Sequence, residues 1–164
     1  MTKNTDTKTP YQPSPNADLK RLSKLVGTWT ISGEARGKIR FEWMEGGFFL
    51  IQHVDLEYGG RRIKGMEVIG HHQRLGEEPS KEIRSRFYSS NDGLTLDYVY
   101  QMVGNTLKIW FGDKGSNNRF VGRFSPDGNS FSGKWKWPGG GYGVTGTRST
   151  QGNSAVEKSA LSRD

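Results

Sequence analysis

Few side chains in this sequence are of types that could do chemistry. There is no cysteine, which excludes a disulfide framework, a thiolate zinc site, an iron–sulfur cluster and a cysteine nucleophile. The three histidines are His53, His71 and His72. His71 and His72 share a polar stretch with Glu77 and Glu78. A metal site needs three or four converging ligands, and adjacent residues of an extended segment point opposite ways. The pair is therefore expected in a solvated loop, with no metal and no cofactor. His53 falls on the polar side of an alternating run and is expected to point outward near Asp55. For general acid–base work the candidates are Glu42, His53, Asp97 and Tyr100, but alternation sends Glu42 and Asp97 outward and leaves Tyr100 nearly alone. Gly139-Gly140-Gly141 precedes a strand rather than a helix, so it lacks the helix N-terminus of a phosphate-binding loop. No catalytic residue is assigned.

The elements that must position these groups are almost all strands. Ile39, Phe41 and Trp43 alternate with Lys38, Arg40 and Glu42. Phe48, Leu50, Gln52, Val54 and Leu56 alternate with Phe49, Ile51, His53, Asp55 and Glu57. Leu94, Leu96, Tyr98, Tyr100 and Met102 continue the pattern, as do Phe131, Gly133, Trp135 and Trp137. Period-two alternation is the signature of antiparallel strands with one buried face. Gly46-Gly47, Gly59-Gly60, Asn91-Asp92-Gly93, Gly104-Asn105 and Asp127-Gly128 supply the turns between them. The register of 61–70 stays open, because Arg62, Lys64, Met66 and Val68 oppose Arg61, Ile63, Gly65, Glu67 and Ile69. A one-residue slip there would exchange the two sets and bring Lys64 or Glu67 inside.

One amphipathic helix of one or two turns precedes the strands. Leu19, Leu22, Leu25 and Val26 form its apolar face, Asn16 or Asp18 its cap, and Gly27 its end. The expected fold is all-β: an antiparallel up-and-down meander of about 8–10 strands. Closure into a barrel would remove its two edges, with the short N-terminal helix as a plug. Glycine is 23 of 164 residues, about twice the usual ~7%. Turns account for many of these, and Gly65, Gly122, Gly133 and Gly146 are expected to bend strands for closure.

Residues 1–17 and 150–164 are too polar to bury a core and are expected to be disordered tails around a domain spanning 18–149. Met1–Pro15 carries no apolar signal segment, which gives cytoplasmic as the expected location. The formal net charge is +7, and nearly all of it belongs to the central segment. Lys38, Arg40, Arg84, Arg86, Arg119, Arg123, Lys134 and Lys136 alternate with the aromatic positions, so the charge is expected on the outer wall. Trp135 and Trp137 share one face and Lys136 takes the other, which is no base-stacking platform, and nucleic acid is not expected as a partner. Nor is stable membrane insertion, since no apolar run approaches the ~20 residues of a span. A homodimer is left open.

The helix running into Gly27-Thr28-Trp29 resembles the Gly-x-Trp signature of the lipocalins and the wider calycin superfamily. Further pieces are similar to an uncharacterised bacterial family of calycin-like barrels: Glu42-x-x-Glu45-Gly46-Gly47-Phe48-Phe49-Leu50, the run from Gly122 to Gly128, and Gly133-Lys134-Trp135. The resemblance spans about residues 18–149. It implies that Trp29 packs at the closed end of the barrel, with Arg148 of the last strand against it. Another calycin-like family, the nitrobindins, holds haem through a histidine near the C-terminal end. This sequence has no histidine after His72, which leaves only Tyr98 or Tyr142 as tyrosine ligands.

A barrel of this width tends to hold one small ligand. The function expected is binding of an apolar or aromatic small molecule in the interior by Trp43, Leu50, Gln52, Tyr98, Tyr100, Phe120 and Trp135. The alternatives are an isomerase-, cyclase- or hydrolase-type enzyme using the same cavity, which a buried carboxylate would favour, and a packed structural barrel. A cavity of ~300 Å³ or more separates the last from the others.

Overall fold

The computed structural model describes residues 11–149; most of both expected tails lies outside them. A 3-10 helix, Leu19–Leu25, leads into ten strands. These are β1 (Gly27–Gly33), β2 (Ala35–Trp43), β3 (Phe49–Tyr58), β4 (Arg61–Gly70) and β5 (Ile83–Ser89). After them come β6 (Thr95–Val103), β7 (Thr106–Phe111), β8 (Arg119–Phe124), β9 (Ser130–Trp137) and β10 (Gly140–Arg148). Each strand pairs antiparallel with the next, and β10 returns to pair with β1, so the meander closes into a barrel. A closed ten-stranded antiparallel barrel fits a calycin-like fold in outline.

The helix is 3-10 rather than α, and its sequence explains why. Leu19, Leu22 and Leu25 recur every three residues, the period of a 3-10 turn, and all three are buried. Val26 falls outside it as the C-cap. Asp18 makes no side-chain cap bond; its carboxylate instead meets the ring of His71, 2.8 Å away. The helix lies across one barrel end, where Lys24 Nζ donates to Gly104 O at 2.8 Å and to Asn105 Oδ1 at 2.6 Å in the β6–β7 turn.

Closure is held at the same end. Trp29 and Arg148 are register partners across β1 and β10. The buried indole donates to Leu25 O at 2.8 Å and takes the rings of Phe124 and Phe131 edge-on. The Arg148 guanidinium stands 4.3 Å from the Trp29 ring centroid. It donates to the carbonyls of Val26, Lys24 and Gly128, so one side chain ties the helix end, the last strand and the β8–β9 turn.

The outer wall sorts into two halves. Around β2–β6 five arginines are paired: Arg36 with Glu57, Arg40 with Glu42, Arg62 with Asp55, Arg84 with Glu82 and Arg86 with Asp97. Exposed in water, these pairs add little to stability. On β7–β9 Lys108, Arg119, Arg123, Lys134 and Lys136 are exposed, with no ion pair among the described residues.

The inner wall departs from the sequence expectation at two kinds of position. Phe48 is exposed and precedes β3. Gly46 and Gly47, at φ 91° and 73°, turn the chain before the pleat begins at Phe49. The strand-interior glycines do more than bend strands, because aromatic rings lie where their side chains would be. A Cβ at Gly65 would meet Phe87, one at Gly122 or Gly133 would meet Phe120, and one at Gly146 would meet Phe131, all within 3 Å.

Replacing Arg148 by Ala should lower folding stability by about 2–4 kcal/mol, from the lost cation–π contact and charge-assisted hydrogen bonds. Arg148→Lys should recover only part, since an ammonium cannot fork to several carbonyls. Urea unfolding monitored by Trp fluorescence measures both; a loss under 0.5 kcal/mol in the Ala variant would show that Arg148 does not hold the closure.

Candidate functional site

Alternation along the strands sends one set of side chains to the barrel axis. They do not fill it: a cavity of about 600 Å³ runs from Leu25, Leu107, Phe124 and Phe131 at the helix-plugged end to the opposite mouth. Leu94, Asn118, Trp137 and Tyr142 stand at that mouth, together with Arg62 and Asp92. The walls are apolar and aromatic. Tyr98, Trp135 and Phe120 form a continuous run of rings, with centroids 5.8 Å apart for Tyr98–Trp135 and 5.6 Å for Phe120–Trp135. Phe111 meets Tyr98 edge-on at 5.8 Å. At the rim Tyr142 packs on Tyr58 and Trp137.

Of the side chains expected to bind a ligand, Gln52, Tyr98, Tyr100, Phe120 and Trp135 line this cavity. Trp43 and Leu50 do not. They pair with each other across β2 and β3 near the plugged end, where Leu50 is wholly buried and Trp43 packs against the core.

The polar centre of the cavity is Glu67, which the register of β4 brings inward with Ile63 and Ile69. It pairs in register with Gln52 on β3 and Phe87 on β5. Two hydroxyls converge on one of its oxygens. Ser85 Oγ donates to Oε1 at 2.5 Å, and Tyr100 Oη donates to the same atom at 3.0 Å. Among the described residues no donor reaches Oε2, and no cationic side chain pairs with the carboxylate. Burial without a countercharge pushes the carboxyl up to about 7, against the pull of the two hydroxyls. The tyrosines respond in the same sense. Burial, with the Glu67 charge nearby, pushes Tyr98 and Tyr100 well above the ordinary phenol range, and burial takes Tyr142 up to about 12. All three phenols keep their protons at neutral pH.

The remaining chemistry-bearing residues sit elsewhere. Glu42 and Asp97 face outward, as alternation implies, and their carboxyls are held low by Arg40 and Arg86 respectively. His53 also faces outward, but its partner is Glu42, 2.9 Å away on the neighbouring strand, and Asp55 is taken by Arg62. The expectation of a solvated loop fails for His71, whose side chain is buried between Asp18 Oδ1 and the Ser80 carbonyl. Its partner Asp18 lies 53 residues away in sequence, so no local pattern announced the contact. His72 is exposed. Among the described residues no group of three or more His, Asp or Glu is placed to hold a metal ion, and no helix is long and apolar enough to cross a membrane.

Glu67 links stability to pH. Its folded carboxyl keeps its proton up to about 7, whereas an exposed one releases it near 4.5. The folded state therefore binds the proton more tightly, and its contribution is full at low pH and is lost as pH rises through this window. The loss is about 3 kcal/mol for a shift from 4.5 to about 7. Urea unfolding at pH 4.5 and 8 should show wild type losing that much relative to Glu67→Gln; parallel pH profiles would mean that Glu67 is not titrating from a buried site. No known family model and no curated protein matches the chain, so what the cavity does has to be read from its own geometry.

Proposed function

We propose that this chain is a small-molecule binding protein that holds an apolar or aromatic ligand inside the barrel. The observation that carries the proposal is the aromatic-walled cavity of about 600 Å³, twice the ~300 Å³ lower bound of ordinary ligand pockets. Its opening between Leu94, Asn118 and Tyr142 gives a route in. Tyr98, Trp135 and Phe120 supply rigid apolar area, while Gln52, Tyr100 and Glu67 supply the few polar contacts that fix orientation. The same proposal includes one domain over 18–149, a cytoplasmic location and kinship with the uncharacterised bacterial calycin-like barrels. The Trp29–Arg148 contact supports that kinship.

A panel of fatty acids, flavins, haem and aromatic metabolites tests it by thermal shift and by tryptophan fluorescence. A true ligand at a hundred times its Kd should stabilise the fold by about 2.7 kcal/mol. Ile109→Trp, which puts a larger ring among the lining residues, should reduce the shift while circular dichroism stays that of the native barrel. No stabilisation by any apolar compound, or a shift unchanged in the narrowed variant, would sink the proposal.

Catalysis in the same cavity is favoured by one specific observation. Glu67 is a buried carboxyl with a value of about 7, suited to exchanging a proton at neutral pH, and its Oε2 is unengaged by protein donors. Tyr100, bonded to Oε1, would position it. If Glu67 is a general acid–base, mass spectrometry should detect conversion of a bound metabolite by wild type, falling about 10²–10⁴-fold in Glu67→Gln. Binding without conversion, or conversion equal in both proteins, would leave the barrel a binding protein.

A further inference from the structure

Glu67 is an unusual centre for an apolar cavity, because no cationic side chain among the described residues pairs with it. The ionisable side chains lining the cavity are Arg62, Glu67, Asp92, Tyr98, Tyr100 and Tyr142. Arg62 is the single cation among them. It lies at the mouth, where Nε and Nη2 each bond Asp55 at 3.0 Å. Asp92 is also at the mouth, and its Oδ1 accepts from the Leu94 amide. The tyrosines are neutral. Among the described residues the interior thus presents one carboxylate, its Oε2 taken by no donor, and no positive charge.

The walls around it favour a cation as well. Aromatic rings carry negative potential on their faces and attract an ammonium within about 6 Å. Tyr98, Trp135 and Phe120 supply such faces as a connected run. A ligand anion would meet Glu67 with no counterion. A neutral ligand would leave the carboxylate buried and unpaired whenever it ionises, which is strongly unfavourable.

Resting on the ligand-binding proposal above, we infer that the ligand is an organic cation: an amine on an apolar or aromatic frame, its ammonium seated against Glu67 Oε2 and its frame along the Tyr98–Trp135–Phe120 wall. Such a ligand supplies the missing countercharge. Near neutral pH its binding displaces the proton from Glu67, so amine uptake and proton release are coupled. The groups that face Glu67 from the adjoining strands do not titrate in this range: Gln52 on β3, Ser85 on β5 and Tyr100 on β6. The proton released is therefore that of Glu67.

The test is calorimetric titration with three compounds of one size and frame: 2-(1-naphthyl)ethylamine, 2-(1-naphthyl)ethanol and 3-(1-naphthyl)propionate. For wild type at pH 8 the amine is expected to bind at least tenfold more tightly than the alcohol, with the carboxylate weakest. Lowering the pH to 5.5 should weaken the amine about thirtyfold, as Glu67 takes up its proton, and leave the alcohol unchanged, since the amine stays protonated throughout. At pH 6 two buffers of different ionisation enthalpy should report proton release with the amine alone. In Glu67→Gln the amine preference should vanish while the alcohol binds within threefold of wild type; if that variant does not fold, the wild-type pH profile decides. Equal or tighter binding of the alcohol or carboxylate by wild type overturns the cation assignment and leaves the ligand-binding proposal standing. Failure of the amine to bind overturns the cation assignment too, and the broader compound panel then decides ligand binding itself.

Discussion

Ten strands in sequence become one object only because β1 and β10 meet. An open meander of this length would leave two exposed edges, and those edges would pair with other chains. Backbone pairing from Trp29–Arg148 to Gly33–Val144 joins the ends, and the guanidinium on the buried indole fixes which residues face each other. The same guanidinium takes carbonyls that the short helix leaves unsatisfied at its C-terminal end. The plug is thus fastened by the contact that sets the barrel's closure. With one end blocked by Leu19, Leu22 and Leu25, access to the interior is from the opposite end.

A closed barrel of ten strands then meets a geometric limit. Its circumference exceeds what inward side chains can fill, so space is left along the axis. Most of the lining is apolar, which keeps that space compatible with folding. Glu67 is the exception: a carboxyl in this setting opposes stability above its own titration point. Ser85 and Tyr100 offset part of the cost by bonding one oxygen, and the other oxygen is left to whatever enters. Under the proposed function, binding and folding would share this single residue, Glu67.

Much of this architecture is legible in the chain because alternation is a local property. Phe41, Leu50, Tyr98, Tyr100, Phe120 and Trp135 can each be assigned to the inner wall from their immediate neighbours, whereas Arg148 against Trp29 is expected only from the Gly-x-Trp resemblance. What is not legible depends on distant partners. On β4 neither face is clean, since Glu67 and Gly65 break one set and Met66 and Val68 break the other. The inward choice is settled by Ser85 and Tyr100, which receive Glu67, and by Phe87, which needs the space at Gly65. His71 is a similar case, reading as loop until the helix brings Asp18 to it. The cavity's floor is equally non-local, for Trp43 and Leu50 alternate as cavity residues would, and only the position of the plug makes them core.

The phenylalanines folded over glycine bear on how such a cavity could change size. Phe120 lines the cavity, and its ring lies against Gly122 and Gly133, where a methyl group would collide with it. Phe131 rests likewise on Gly146, and Phe87 on Gly65. The room available to a ligand is thus governed partly from behind the lining, by hydrogen atoms on the wall. A single methyl gained at Gly133 would tip a whole ring inward, displacing far more volume than it adds. Divergent relatives of such a barrel could therefore retune what they hold at positions that touch no ligand, with the aromatic lining itself unchanged.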